Sequence, residues 1–209
     1  MKYFQLVIGL YWKAYIPFFL LNILLFFVLH YLNISPYVLL LFVNLLMFYS
    51  VAERQERFHI QRFVLSLPIS RLAYVLLYYV FILLYITLVG LLMWGGYELL
   101  HIFSSDRFTL QEIGSHVFVY VLFIVMLASI FIPLFFRFKP ETIEARIAFF
   151  VSQLVLFTTF ILANPGGDFP VDYFAQNQEK LIGFSISCFV AFVVSFVCSR
   201  QLVEKKVVL

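Results

Sequence analysis

The side chains of this chain that could do chemistry are few, and most lack the neighbours that chemistry needs. His30, His59, His101 and His116 stand far apart with no carboxylate at metal-ligand spacing, so they read as interface or loop residues. Cys188 and Cys198 lie ten residues apart in one apolar run, which puts them on different helix faces and reads as two buried, reduced packing residues. No G-x-x-x-x-G-K-[ST] run is present, so no phosphate-cradling loop for ATP is expected in this chain. H-E-x-x-H, paired cysteine ligands and G-x-S-x-G are also absent, which removes the residues of metalloprotease and serine hydrolase chemistry. No metal or cofactor is expected here. Two sets remain: amides inside long apolar runs, and a charged amphipathic segment from Glu53 to Arg71.

The elements that must position them follow from composition. The 209 residues are 64% hydrophobic, 21% aromatic and 12% charged, against about 25% charged in a soluble domain. That excludes a soluble enzyme, a disordered linker and a disulfide scaffold. Runs without Asp, Glu, Lys or Arg cover 14–52, 72–97, 113–136, 147–167 and 181–199, or 39, 26, 24, 21 and 19 residues. About 20 apolar residues cross a bilayer as a helix. The first run suits two short spans, with Asn33-Ile34-Ser35-Pro36 as the turn between them. The reading is an all-α, polytopic membrane protein with six spans, about 14–31, 37–52, 72–97, 113–136, 147–164 and 181–199, forming one domain over 14–209.

Six spans place both termini on one side. That side holds Lys2, Lys13, Arg54, Arg57, Arg62, Arg71, Arg137, Lys139, Arg146, Arg200, Lys205 and Lys206, whereas the other holds Arg107 and Lys180. A split of 12 against 2 makes the termini cytoplasmic. The net charge of +3 is then an asymmetry across a membrane rather than a nucleic-acid footprint. Residues 1–13, with Lys2, Gln5, Gly9 and Lys13 at helical spacing, read as an amphipathic helix in the inner interface, its lysines reaching lipid phosphates. Lys13 and the lack of an A-x-A-like site argue against a cleaved leader.

No ionisable Asp, Glu, Lys or Arg falls within a span. Proton- and sodium-driven carriers keep such groups despite a cost of about 2.5–3.5 kcal/mol at mid-membrane, so any transport must draw its energy from elsewhere. The hydroxyls and amides within the spans are expected mainly to bond between helices. Asn22, Asn44 and Gln153 are the candidates for lining a path.

The longest cytoplasmic connection runs from Glu53 to Arg71. Ile60, Phe63, Val64 and Leu67 recur at i, i+3, i+4 and i+7, one apolar helical face. Glu53 and Arg57 form an i,i+4 pair in the favourable order. Pro68 stops the helix and Ser70 is placed to cap the third span. Spacing alone leaves two readings open: a connector lying in the interface, or a docking element for a cytoplasmic partner.

The stretch Glu53-Arg54 … Leu65-Ser66-Leu67-Pro68-Ile69-Ser70-Arg71 … Val75-Leu76-Leu77-Tyr78-Tyr79 resembles the second-to-third-span connection of ABC-2-type transporter permeases. A second run, Ile132-Pro133-Leu134-Phe135-Phe136-Arg137-Phe138 … Glu144-Ala145-Arg146-Ile147, resembles the small-permease branch that includes the phenol-soluble-modulin exporters. Lys139-Pro140-Glu141 stands where that branch often has glycine. The resemblance implies an exporter half in the bacterial plasma membrane that pairs with a second permease, identical or paralogous. It also implies a separate cytoplasmic ATPase, which binds the ATP and Mg. Glu53, Arg54, Arg57, Ile60, Arg62, Phe63, Val64, Leu67, Ser70 and Arg71 would then belong to the coupling helix that seats on this ATPase. The amphipathic cargo of that branch is the expected substrate class. The competing functions are a non-transporting immunity or assembly protein for a peptide toxin, and an intramembrane enzyme with an unrecognised site.

Overall fold

The computed structural model describes residues 2–32, 37–57, 70–103, 110–138, 142–144, 146–151, 154 and 177–205. They form α1 (Lys2–Tyr31), α2 (Tyr37–Arg57), α3 (Arg71–Phe103), α4 (Leu110–Arg137) and α5 (Gln178–Lys205), with further helical residues at 143–144 and 146–151. No strand occurs among the described residues. Arg71–Leu100, Ile113–Arg137 and Glu179–Glu204 are long and apolar enough to cross a membrane, and Tyr15–Tyr31 and Leu39–Glu53 are shorter apolar helices. Of the expected fifth span, only 147–151 and 154 are described; the rest, with Gln153, lies outside the described residues, as does the Asn33–Pro36 turn.

The stretch read as an amphipathic interfacial helix, 1–13, and the first apolar run share one helix: α1 is continuous from Lys2 to Tyr31. Lys13 and Ala14 are good helix formers, and one charge does not interrupt a helix. Ser70 meets its expectation, because its hydroxyl accepts the Ala73 N–H at 3.2 Å and so caps α3.

Side-chain pairings fix the direction of each helix. Tyr15 meets Tyr85 and Phe26 meets Tyr97, so α1 and α3 run the same way. Asn44 meets Tyr120 and Phe48 meets Phe131, so α2 and α4 also run together. Tyr74 lies against Phe136 and Gly90 against Val121, which makes α3 antiparallel to α4. Tyr79 bonds Ser195 while Arg71 bonds Glu204, which makes α3 antiparallel to α5 as well. Neighbours α4 and α5 are therefore parallel, and the connection from Arg137 to Gln178 starts at one end of the bundle and finishes at the other. Phe149, in that connection, packs on Tyr49 and Phe131 at 5.1 and 5.0 Å.

The core is aromatic. Tyr74, Tyr78, Tyr120, Phe26, Phe48 and Phe136 are among its largest fully buried side chains. Stacking of Tyr78 on Phe135, with centroids 5.4 Å apart and planes 9° from parallel, supplies the van der Waals packing on which helices rely in a bilayer, where the hydrophobic effect does not drive them together. Helix α5 is peripheral: 11% of its apolar window is buried, and Ile182, Ile186, Phe189 and Val193 face outward.

Close approach of α1 to α3 depends on one glycine. A Cβ on Gly96 would lie 2.5 Å from the ring of Phe26, whereas one on Gly95 meets nothing within 4 Å. Phe26 is itself fully buried against Tyr97 and has no room to yield. Gly96→Ala is expected to destabilise the bundle by about 1–3 kcal/mol, the usual cost of overpacking. Gly95→Ala should leave thermal unfolding in detergent unchanged or raise it slightly. Equal midpoints for the two variants would contradict this packing.

Candidate functional site

Two of the three amides singled out from the sequence come together at the centre of the bundle. Asn22 on α1 and Asn44 on α2 are 2% and 0% exposed. Tyr85 of α3 donates its hydroxyl proton to Asn44 Oδ1 at 2.8 Å. Asn44 Nδ2 donates to Asn22 Oδ1 at 3.1 Å, and Asn22 Nδ2 donates to the Tyr85 hydroxyl at 3.2 Å. The three groups form a closed ring in which every member both gives and accepts. Bonds arranged in one sense around such a ring strengthen one another in a low-dielectric interior. Asn44 Nδ2 also reaches the Tyr120 hydroxyl of α4 at 2.8 Å, so the node joins four helices.

Each amide is anchored on its own helix as well. Asn22 Nδ2 donates to the Phe18 carbonyl at 2.8 Å, and Asn44 Nδ2 lies 2.7 Å from that of Leu40. The structure therefore turns Asn22 and Asn44 inward and gives them partners within one chain. No ionised side chain takes part, so the node can bond and orient but has no titrating carboxylate or amine with which to relay a proton. Beside it, the buried Tyr15 ring packs on Tyr85, with centroids 5.3 Å apart.

A second polar contact ties α3 to α5. The Tyr79 hydroxyl lies 2.6 Å from Ser195 Oγ and 3.0 Å from Ser199 Oγ, two serines one turn apart on the inner face of α5. Four other described span hydroxyls bond within their own helix rather than between helices as expected. Thr87, Ser129, Ser185 and Ser187 donate to the carbonyls of Leu83, Val125, Leu181 and Gly183. A short hydroxyl reaches its own i−4 carbonyl more readily than a neighbouring helix. Cys188 is buried as expected, but Cys198 is exposed, because α5 shows one face to the outside.

The expected docking segment is described only at its ends. Glu53 is half-buried near the end of α2, and Arg54 and Arg57 fall in the last turn of that helix. The side chains of Arg54 and Arg57, and all of Ile60, Arg62, Phe63, Val64 and Leu67, lie outside the described residues. At the far end, Ser70 caps α3 and Arg71 Nη1 donates to the Glu204 carbonyl at 3.1 Å. The contacts of Arg71 with α5 and of Tyr74 with the end of α4 gather Arg71, Arg137 and Arg200 at one end of the bundle. Lys180 lies at the opposite end of α5.

The sequence profile of a family described as ABC-2 family transporter protein matches residues 5–204. The chain belongs to the ABC-2 transporter family. No curated protein and no solved structure matches it. Members of the ABC-2 family are multi-pass membrane components of transporters, and the family implies association with a separate ABC ATPase. The buried node is thus the polar centre of an ABC-2 membrane subunit. Reading the sequence missed Tyr85, Tyr120 and Tyr79 as polar partners. Their signal is faint, since any of 13 tyrosines in apolar runs reads equally well as bulk.

Proposed function

We propose that this chain is the permease subunit of an ATP-driven exporter, with six spans and cytoplasmic termini, that moves amphipathic peptides or similarly hydrophobic cargo outward. Membership of the ABC-2 family over residues 5–204 is the observation that carries this reading. Three others support it. Parallel α4 and α5 call for a returning segment between them, and Arg71, Arg137 and Arg200 gather at one end as the positive-inside rule asks. The spans hold no charged group that could couple transport to an ion gradient.

Energy enters through the ATPase, which seats on the segment from Glu53 to Leu67. Pro68, the Ser70 cap and the Arg71 bond to Glu204 then join that segment to α3 and α5. A push on the docking segment thus reaches α5 through the Arg71–Glu204 hydrogen bond as well as through the bilayer. A second permease, a copy or a paralogue, completes the transporter. Asn22 and Asn44 act as the lock that moves four helices together, and Gln153 remains a candidate for lining the path.

Purification tests this reading. A tagged chain expressed with its neighbouring genes should bring down a P-loop ATPase that lacks spans of its own, and hydrolysis should belong to the complex. The chain freed of other subunits should hydrolyse no ATP. Hydrolysis by the isolated chain would overturn the division of labour.

A further inference from the structure

Between the C-terminal ends of α4 and α5 lies a groove of about 280 Å3, lined by Pro133, Leu134, Arg137, Cys198, Gln201 and Leu202. Neither the node nor the docking segment contributes to it. One end is polar, with exposed Arg137 and Gln201; the wall is apolar, with half-buried Pro133, Leu134 and Leu202. It sits where the apolar runs of both helices give way to charge, the level of lipid headgroups in a membrane subunit.

We propose that this groove binds one anionic phospholipid, its phosphate on Arg137 and Gln201 and the start of its acyl chain against Leu134 and Leu202. Charge complementarity selects that occupant. Among the described residues no carboxylate lines the groove, and the Glu204 carboxylate is engaged by Arg200 Nε at 2.8 Å. Arg137 sits over the Phe138 ring, 5.3 Å from its centroid, a contact that holds the guanidinium in place. The carbonyl ends of two helices close by would repel an anion, so the attraction depends on Arg137. Size agrees: the groove equals about nine water volumes, enough for a phosphate and the first chain methylenes but too small for a peptide helix about 10 Å across. Basic pockets at this level between transmembrane helices suit anionic headgroups.

The inference rests on the placement in the membrane and not on the ATPase or the cargo, so it can fail or stand independently of them. The exposed Cys198 in the groove wall is a native reporter, and Cys188 is its buried control, with Sγ 3.6 Å from the Leu122 carbonyl. The full chain, with any ATPase that accompanies it, is placed in vesicles of phosphatidylcholine or of phosphatidylcholine with phosphatidylglycerol. Modification of Cys198 by the uncharged reagent N-ethylmaleimide is then timed. Phosphatidylglycerol should slow it about threefold, the protection given by a ligand at about twice its Kd, and Arg137→Gln should abolish the difference. Mass spectrometry of the wild-type complex should also find phosphatidylglycerol retained above its share of the vesicle lipid. Equal rates in the two vesicles, protection that survives Arg137→Gln, or no retained phosphatidylglycerol would each overturn the proposal.

Discussion

Truncating Phe63 or Leu67 to Ala is expected to weaken binding of the ATPase subunit by more than about 2 kcal/mol, roughly 30-fold in affinity. Both belong to the i, i+3, i+4, i+7 series Ile60, Phe63, Val64 and Leu67 in the sequence of the segment proposed to seat the ATPase. Anchors at the buried centre of an interface carry most of its energy, and aromatic and long aliphatic side chains lose the most contact when cut to a methyl group. Reversing the charge of Arg57 or Arg62 should do less, because charges at a rim act mainly on encounter rate. The check is to measure membrane insertion, ATPase co-purification and cargo-stimulated hydrolysis for each variant. Loss of the last two with normal insertion is the expected pattern. Normal insertion together with wild-type co-purification and export would make the segment an interfacial connector and nothing more.

The second large effect belongs to the buried node. Asn44→Ala removes the donor to Asn22 and Tyr120 and the acceptor of the Tyr85 proton. A buried polar group left without its partner costs about 1–3 kcal/mol, although hydrogen bonds between transmembrane helices average only about 0.6 kcal/mol. With three partners affected, a loss of about 3 kcal/mol is expected in detergent unfolding. Tyr85→Phe deletes two of the three ring bonds, the proton given to Asn44 and the acceptor of Asn22, so about 1–2 kcal/mol is expected. Thr87→Ala, which removes an exposed hydroxyl bonded within its own helix, should stay within about 0.5 kcal/mol. Equal effects of Asn44→Ala and Thr87→Ala would show that the ring carries no cohesion.

Much of this fold was legible because a bilayer imposes a coarse rule. Gaps between charges mark where helices cross, and the gaps at 72–97, 113–136 and 181–199 fall inside α3, α4 and α5. Ser70 was legible for the opposite reason, since a cap depends only on local spacing. The node was half legible. Asn22 and Asn44 stood out as amides in apolar runs, but their partners are tyrosines from helices 41 to 76 residues away in sequence. Nothing local distinguishes Tyr85 or Tyr120 from an aromatic packing on lipid. The span serines failed as links between helices for a related reason. Their nearest acceptor is the carbonyl one turn back, whereas Ser195 and Ser199 face the Tyr79 hydroxyl and bond across an interface.

The central claim is that this ABC-2 membrane subunit moves cargo only when a separate ATPase drives it. Sealed vesicles containing the chain, with and without the ATPase that co-purifies with it, test this most directly. They are loaded with ATP and a fluorescent amphipathic peptide on the side that carries the Arg71, Arg137 and Arg200 end. With both subunits present, the peptide should cross to the opposite side while ATP lasts. With the ATPase omitted, or with Phe63→Ala in its presence, it should stay where it was loaded. Equal movement of the peptide with and without the ATPase would contradict the account.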